Sequence, residues 1–244
     1  NLPREPIMRG KLLGSALVTI ACLCGATNLA AKASAVDDGF YTAKDREFYL
    51  TPEELLFVRP GLELEILDVA IPADGQTEVT FKITDPAGLE LVRNGVDTPG
   101  PVITWFVLAF IKECQEAYYS YTEYVQTSPI TGDSSTLATY DHGGTYTDLG
   151  NGMYLYKYGT VLPEGYHVDG PHTLAMFARR DLREFDLDRY IANELELFGP
   201  SGAVEPMSRE VVTTETCNGR CHDPLAMHGG SRQEIGLCIL CHNP

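Results

Sequence analysis

The chemistry of this chain is concentrated near its end. Of its seven cysteines, four fall between residues 217 and 242, interleaved with three of its six histidines. Cys238-Ile239-Leu240-Cys241-His242 is a C-x-x-C-H motif, the attachment signature of c-type haem. Two thiols at that spacing add to the two vinyl groups of the porphyrin, and the imidazole beside the second thiol is then held under the iron as its proximal ligand. An upstream copy, Cys217-Asn218-Gly219-Arg220-Cys221-His222, carries three residues between its thiols instead of two, with Gly219 to relax the backbone over the extra residue. The sequence thus predicts two covalent haem c groups, one on Cys217 and Cys221 and one on Cys238 and Cys241, with His222 and His242 as proximal iron ligands.

An iron held by one imidazole needs a sixth ligand or stays open. His228, six residues beyond His222, is the candidate distal ligand for the neighbouring haem, and His172 is a second candidate that would reach across from the preceding domain. Met227 competes as an axial ligand. His142 and His167 sit in Gly/Asp-rich loops and read as solvated. Two other chemistries fit the same cysteines. C-x3-C and C-x2-C separated by sixteen residues approach the ligand spacing of a zinc ribbon, and two structural disulfides would suit an exported chain. Neither uses the histidine that follows each second cysteine. No G-x-S-x-G elbow, Walker loop or dinucleotide glycine fingerprint is present. Ligation by two histidines would leave no open position on the iron, so the expected role is an electron carrier, with an enzyme using an open haem as the alternative. Tyr118, Tyr119, Tyr121 and Tyr124 read as strand residues, and Cys114 as a buried thiol.

The residues ahead of these motifs must supply the scaffold. From about 48 to 198, short alternating or apolar runs are separated by turn signals, which predicts a mainly β fold, a sandwich or barrel. Residues 62–69 and 77–83 alternate around Ala73-Asp74-Gly75 and predict a hairpin. A second hairpin is predicted at Asn151-Gly152. The continuously apolar run 102–111 predicts a central strand buried on both faces, and 172–177 another strand. Thr51-Pro52-Glu53-Glu54 predicts a capped short helix, 128–135 reads as a surface loop, and 184–197 suits either a short helix or a strand. Met8-Arg9-Gly10-Lys11 followed by an apolar run and Ala33-Ser34-Ala35 has the layout of a secretory signal cleaved after Ala35. Residues 1–7 read as translated upstream sequence. Thr19-Ile20-Ala21-Cys22 resembles a lipoprotein box without its usual Leu, which leaves lipid anchoring at Cys22 open. The expected division is a leader over 1–35, a linker over 36–47, a β domain over 48–200 and a Cys/His-rich segment over 201–244. With 34 acidic against 18 basic residues and a net charge of −16, the chain would repel a phosphate backbone, which excludes nucleic acid as a partner.

The blocks Phe48-Tyr49-Leu50-Thr51-Pro52-Glu53-Glu54-Leu55, Val58-Arg59-Pro60-Gly61-Leu62, Thr127-Ser128-Pro129-Ile130-Thr131-Gly132 and, above all, residues 215–232 resemble the outer-membrane decahaem c-type cytochromes of the OmcA/MtrC family. That resemblance implies an N-terminal Greek-key β domain leading into a loop-rich multihaem domain with bis-histidine haems. It also implies display at the cell surface or outer membrane, other haems and cytochromes of an electron conduit as partners, and extracellular metal oxides or flavins as respiratory acceptors. The chain departs from the family pattern in the extra residue of the first motif and in holding two attachment sites where ten are expected. It is therefore expected to be a truncated fragment.

Overall fold

The computed structural model describes residues 41–112, 115–202, 209, 212–222 and 224–242. The expected leader with Cys22, and Cys114, lie outside the described residues.

Among the described residues ten strands dominate: β1 (Glu63–Ala70), β2 (Gln76–Thr84), β3 (Val102–Ile111), β4 (Tyr118–Ser120), β5 (Glu123–Thr127), β6 (Ser134–Ala138), β7 (Thr145–Gly150), β8 (Met153–Val161), β9 (His172–Asp181) and β10 (Arg189–Phe198). The α-helices among the described residues are α1 (Pro52–Val58), α2 (Thr214–Asn218) and α3 (Ile235–Cys241). The alternation read from the sequence is the alternation of burial: Val79, Phe81 and Ile83 of β2 are fully buried while the residues between them are only half-buried, as a pleat with period two requires. β1 and β2 form the first hairpin and β7 and β8 the second. The second turns on Asn151 and Gly152, both at positive φ (55° and 73°), the conformation that matches strand twist in a two-residue hairpin. The loop expected over 128–135 is the turn of the β5–β6 hairpin, shortened by β6 starting at Ser134.

The strands assemble into two antiparallel sheets, β1-β2-β8-β7 and β10-β9-β3-β4, with β5-β6 standing apart as a two-stranded arm. Among the described residues the end strands of neither larger sheet pair with each other, so no closed barrel forms there. Their inner faces share one core, in which Phe81, Ile83, Tyr156 and Tyr158 from one sheet meet Phe106, Leu108, Leu174 and Met176 from the other. Phe106 stacks on Tyr156 at a centroid distance of 4.3 Å, close enough for an offset-stacked pair. The undecided stretch 184–197 is strand β10 preceded by a 3-10 turn at Arg183–Phe185. Its ten residues pair with β9 from end to end, and that ladder prevails over local helix propensity.

Two polar devices fix the frame. α1 is opened by a capping box, in which the Glu54 amide donates to Thr51 Oγ1 and the Thr51 amide donates to Glu54 Oε2. Arg180 of β9 is fully buried, and its guanidinium donates to the carbonyls of Val58, Arg59, Gly61 and Pro99 at 2.5–3.1 Å. It ties the end of α1 and the approach to β3 onto the second sheet. Burial lowers this guanidinium to about 10, which leaves it charged at neutral pH.

The second sheet is apolar on both sides. Its outer face presents Val107, Ala109, Ile111, Ala175 and Phe177, and it is covered by Leu237 and Leu240 of α3. This explains the unbroken apolar run of β3: one face serves the shared core, and the other carries the segment that bears the cysteine motifs.

Candidate haem site

α3 is short, and its residues divide cleanly by face. Leu237 and Leu240, three residues apart, are fully buried against the sheet. Cys238 and Cys241 share the adjoining stripe, because residues three apart in a helix lie on one side. His242 follows as the C-cap, its amide donating to the Cys238 carbonyl at 2.9 Å. Gly236 allows the close approach: a Cβ there would come within 2.9 Å of Leu195 Cδ2 on β10. The C-x-x-C-H sequence is thus held as one helical turn, with both thiols on the same flank and the imidazole at its end.

Opposite that flank runs a tight reversal closed by the bridge between Met227 and Arg232. Its tip, His228-Gly229-Gly230, has positive φ at all three residues (52°, 72° and 87°). For a non-glycine residue that conformation costs about 1–2 kcal/mol, so the fold maintains it by other contacts. Asn193 of β10 supplies two of them: its side-chain amide donates to the Ser231 carbonyl at 3.1 Å and its side-chain carbonyl accepts from the Gln233 amide at 2.8 Å. The Ser231 hydroxyl donates to the His228 carbonyl at 3.1 Å. The reversal places the His228 ring 5.9 Å from the His242 ring, centroid to centroid. Two imidazoles bonded to one metal ion from opposite sides at about 2 Å each would stand roughly 6 Å apart.

The first motif opens in α2, whose N-cap Thr213 accepts from the Thr216 amide. The helix proper ends at Asn218, but the Cys221 amide still donates to the Cys217 carbonyl at 3.0 Å and the His222 amide to the same carbonyl at 3.1 Å. A four-residue offset also lands on one helical face, so the extra residue is absorbed by turning rather than by looping out. Cys221 and His222 are exposed. Thr214 joins the two motifs: its hydroxyl donates to Glu234 Oε2 at 2.7 Å and accepts from the Ile235 amide at 2.9 Å, which caps α3. Asn218 accepts from the Leu225 amide at 2.6 Å. Asn193, Thr214 and Asn218 were not singled out by sequence reasoning. Each is an ordinary polar residue whose role depends on partners seven to forty positions away.

A cavity of ≈ 310 Å³ lies between these parts, lined by Tyr124 and Leu137 of the β5–β6 arm, His228, Arg232, and Cys238, Cys241 and His242. Burial pushes the Cys238 and Cys241 thiols up from their ordinary value, with Arg232 acting weakly in the opposite direction. Both thiols are therefore protonated at neutral pH and little disposed to oxidise as thiolates. All four cysteines of the two motifs are free. Partial desolvation, then Arg232 and His242, lower the His228 imidazole and favour its neutral, ligating form. Among the described residues no three His, Cys, Asp or Glu side chains converge as a metal-binding group.

His172 requires a correction. It is fully buried, its Nδ1–H donates to the Gly170 carbonyl at 2.8 Å, and its Nε2 accepts from the Tyr121 hydroxyl at 3.2 Å. The carbonyl partner fixes the tautomer, since a carbonyl can only accept. The ring stacks on Phe110 and Tyr121 with both nitrogens engaged, so it is a core residue rather than a distal ligand. His167 stacks on Phe110 at 4.6 Å, and His142 packs on Tyr140. Met227 closes the reversal through its backbone, and its side chain is exposed.

No family model matches the chain. Over 101 residues it is 30% identical to the multihaem cytochrome MtrC of Shewanella baltica (strain OS185), an alignment that covers 40% of this chain and 12% of that protein. Among solved structures, the outer-membrane decahaem cytochrome OmcA aligns over 75% of this chain and 30% of its own, with a TM-score of 0.57 at 20% identity. MtrC from Shewanella baltica OS185 aligns over the same shares, with a TM-score of 0.50 at 22% identity. The chain spans less than a third of the length of the cytochromes it matches. Over part of its length it is a distant relative of these multihaem cytochromes, and it shares their fold there.

Proposed function

We propose that this chain forms part of an exported multihaem c-type cytochrome that carries respiratory electrons to extracellular acceptors such as metal oxides or flavins. In this reading residues 48–200 are a sandwich-type β domain with Greek-key connections, and residues 201–244 belong to the haem-bearing domain. Two open sheets around one core support the first part. Residues 1–35 serve as the export signal, and the mature protein works at the cell surface or outer membrane. Among the described residues no helix is long and apolar enough to cross a membrane.

The observation that carries the reading is the juxtaposition at α3. Cys238 and Cys241 share one helix flank, and His242 at its end stands 5.9 Å from His228, around a cavity that all four residues line. Cys238 and Cys241 would tether haem c, His242 would take the proximal side of its iron, and His228 the distal side. Cys217, Cys221 and His222 would hold a second haem beside it, and Thr214 would fix the spacing of the two motifs. Bound haem supplies a one-electron couple. With His242 and His228 both bound to it, the iron would have no open position, so the site would serve electron carriage rather than substrate turnover.

The test is the chain produced in a host with c-type maturation machinery. The account expects a reduced spectrum with c-type bands. In Cys217→Ala/Cys221→Ala, which keeps only the haem on Cys238 and Cys241, it expects no binding of carbon monoxide by the ferrous form, and carbon monoxide binding once His228→Ala is added. Iron-free protein that copurifies with zinc would favour an exported β module with a Cys-rich zinc site instead.

A further inference from the structure

Arg232 is the one arginine or lysine among the described residues that line the cavity beside α3. Elsewhere in a chain with 34 acidic residues against 18 basic ones, several cations have polar partners. Arg46, Lys157, Arg183 and Arg189 pair with carboxylates, and Arg59 and Arg180 donate to backbone carbonyls. The Arg232 guanidinium makes no salt bridge or side-chain hydrogen bond among the described residues. It lies over the Phe177 ring at 4.7 Å, half-buried, and lines the same cavity as His228, Cys238, Cys241 and His242. Its backbone is fixed from two sides, by the bridge to Met227 and by the Asn193 contacts to the residues on either side of it. The nearest acid along the chain, Glu234, is occupied by the Thr214 hydroxyl.

A fixed cation with five unused donors, facing a cavity, matches a ligand that brings its own carboxylate, since guanidinium recognises that group through two parallel hydrogen bonds. Haem carries two propionate carboxylates. The geometry points to Arg232 as the propionate anchor of the haem held by Cys238 and Cys241, and as a positioning residue that raises its reduction potential. This inference rests on the haem reading above. Its sign follows from charge: a cation beside the macrocycle disfavours the more positive ferric state, and it offsets a propionate anion that would otherwise favour that state. Phe177 holds the guanidinium by a cation–π contact, which orients it without consuming its donors.

The experiment is a redox titration of the mature full-length chain carrying Arg232→Lys, Arg232→Gln or Arg232→Glu. One of the two haem components should shift in order of charge. Arg232→Gln should raise the ratio of oxidised to reduced haem at fixed ambient potential by up to about tenfold, which is about 59 mV for a one-electron couple. Arg232→Glu should raise it further, and Arg232→Lys should stay within about twofold of the parent. Attachment yields should be equal across the series. Haem present with identical potentials in all variants, or with Lys, Gln and Glu shifted alike, would overturn the anchor while leaving the haem site intact. A parent chain with no haem would overturn both, and its absorption spectrum tells the two failures apart.

Discussion

His172 and Arg180 show how the same side-chain chemistry can serve structure when partners enclose it. His172 is neutral in the fold because burial lowers its imidazole below its ordinary 6.5, and both nitrogens are committed. As pH falls below 6.5, the unfolded chain takes up a proton that the folded chain refuses, so stability declines until the lowered folded value is passed and is flat below it. Urea unfolding between about pH 7 and about pH 5 should show that slope, and His172→Phe should flatten it whatever its effect on absolute stability. A His172 that titrates normally would leave the two slopes equal. Arg180→Met keeps the volume but strips the donors from four buried carbonyls, each of which costs about 1–3 kcal/mol when left unsatisfied. A loss of about 3 kcal/mol or more in unfolding free energy is expected, and a change below about 1 kcal/mol would contradict the clamp.

At the scale of elements, the two helical motifs depend on the sheet in different ways. α3 is fastened by Leu237 and Leu240. Leu240→Ala should cost about 2–5 kcal/mol, read most directly as faster amide exchange across residues 235–241 than across β3. α2 is held by capping and by Thr214, and Cys221, in the turn that follows it, donates its amide to the carbonyl of Cys217 four residues earlier. Deleting Gly219 restores the offset of three and should leave haem attachment at Cys217 unchanged or improved. Loss of attachment on deletion would mean that the wider turn is itself required. Both hairpins, the buried central strand and the α1 cap could be read from the sequence because each is set by neighbours in the chain: a period-two pattern, an Asn-Gly pair, a Thr three residues before a Glu. Both cysteine motifs could be read for the same reason. The choice of strand for 184–197 could not, because pairing with β9 decides it. The orientation of His228 toward His242 and the role of Asn193 were equally hidden, since they arise where β10 meets a reversal some forty residues later. The place of His172, a candidate ligand, was also hidden, since a lone histidine at a strand start carries no mark of which sheet face it will occupy.

The whole molecule is a two-sheet platform with one face given over to a cysteine-bearing cap. The second sheet is apolar on both sides, and the outer layer positions α3, the reversal at His228 and Arg232 over a common cavity. The acid-rich composition keeps such a chain soluble and repels polyanions, so the cation at Arg232 stands out within its surroundings. OmcA and MtrC resemble this fold over 75% of the chain. The central claim is that the four thiols near the end of the chain carry porphyrin. Intact-mass spectrometry of the protein matured in a competent host tests it most directly. The account predicts two covalent haem additions, reduced to one in Cys238→Ala/Cys241→Ala, and a polypeptide bearing no added porphyrin mass would contradict it.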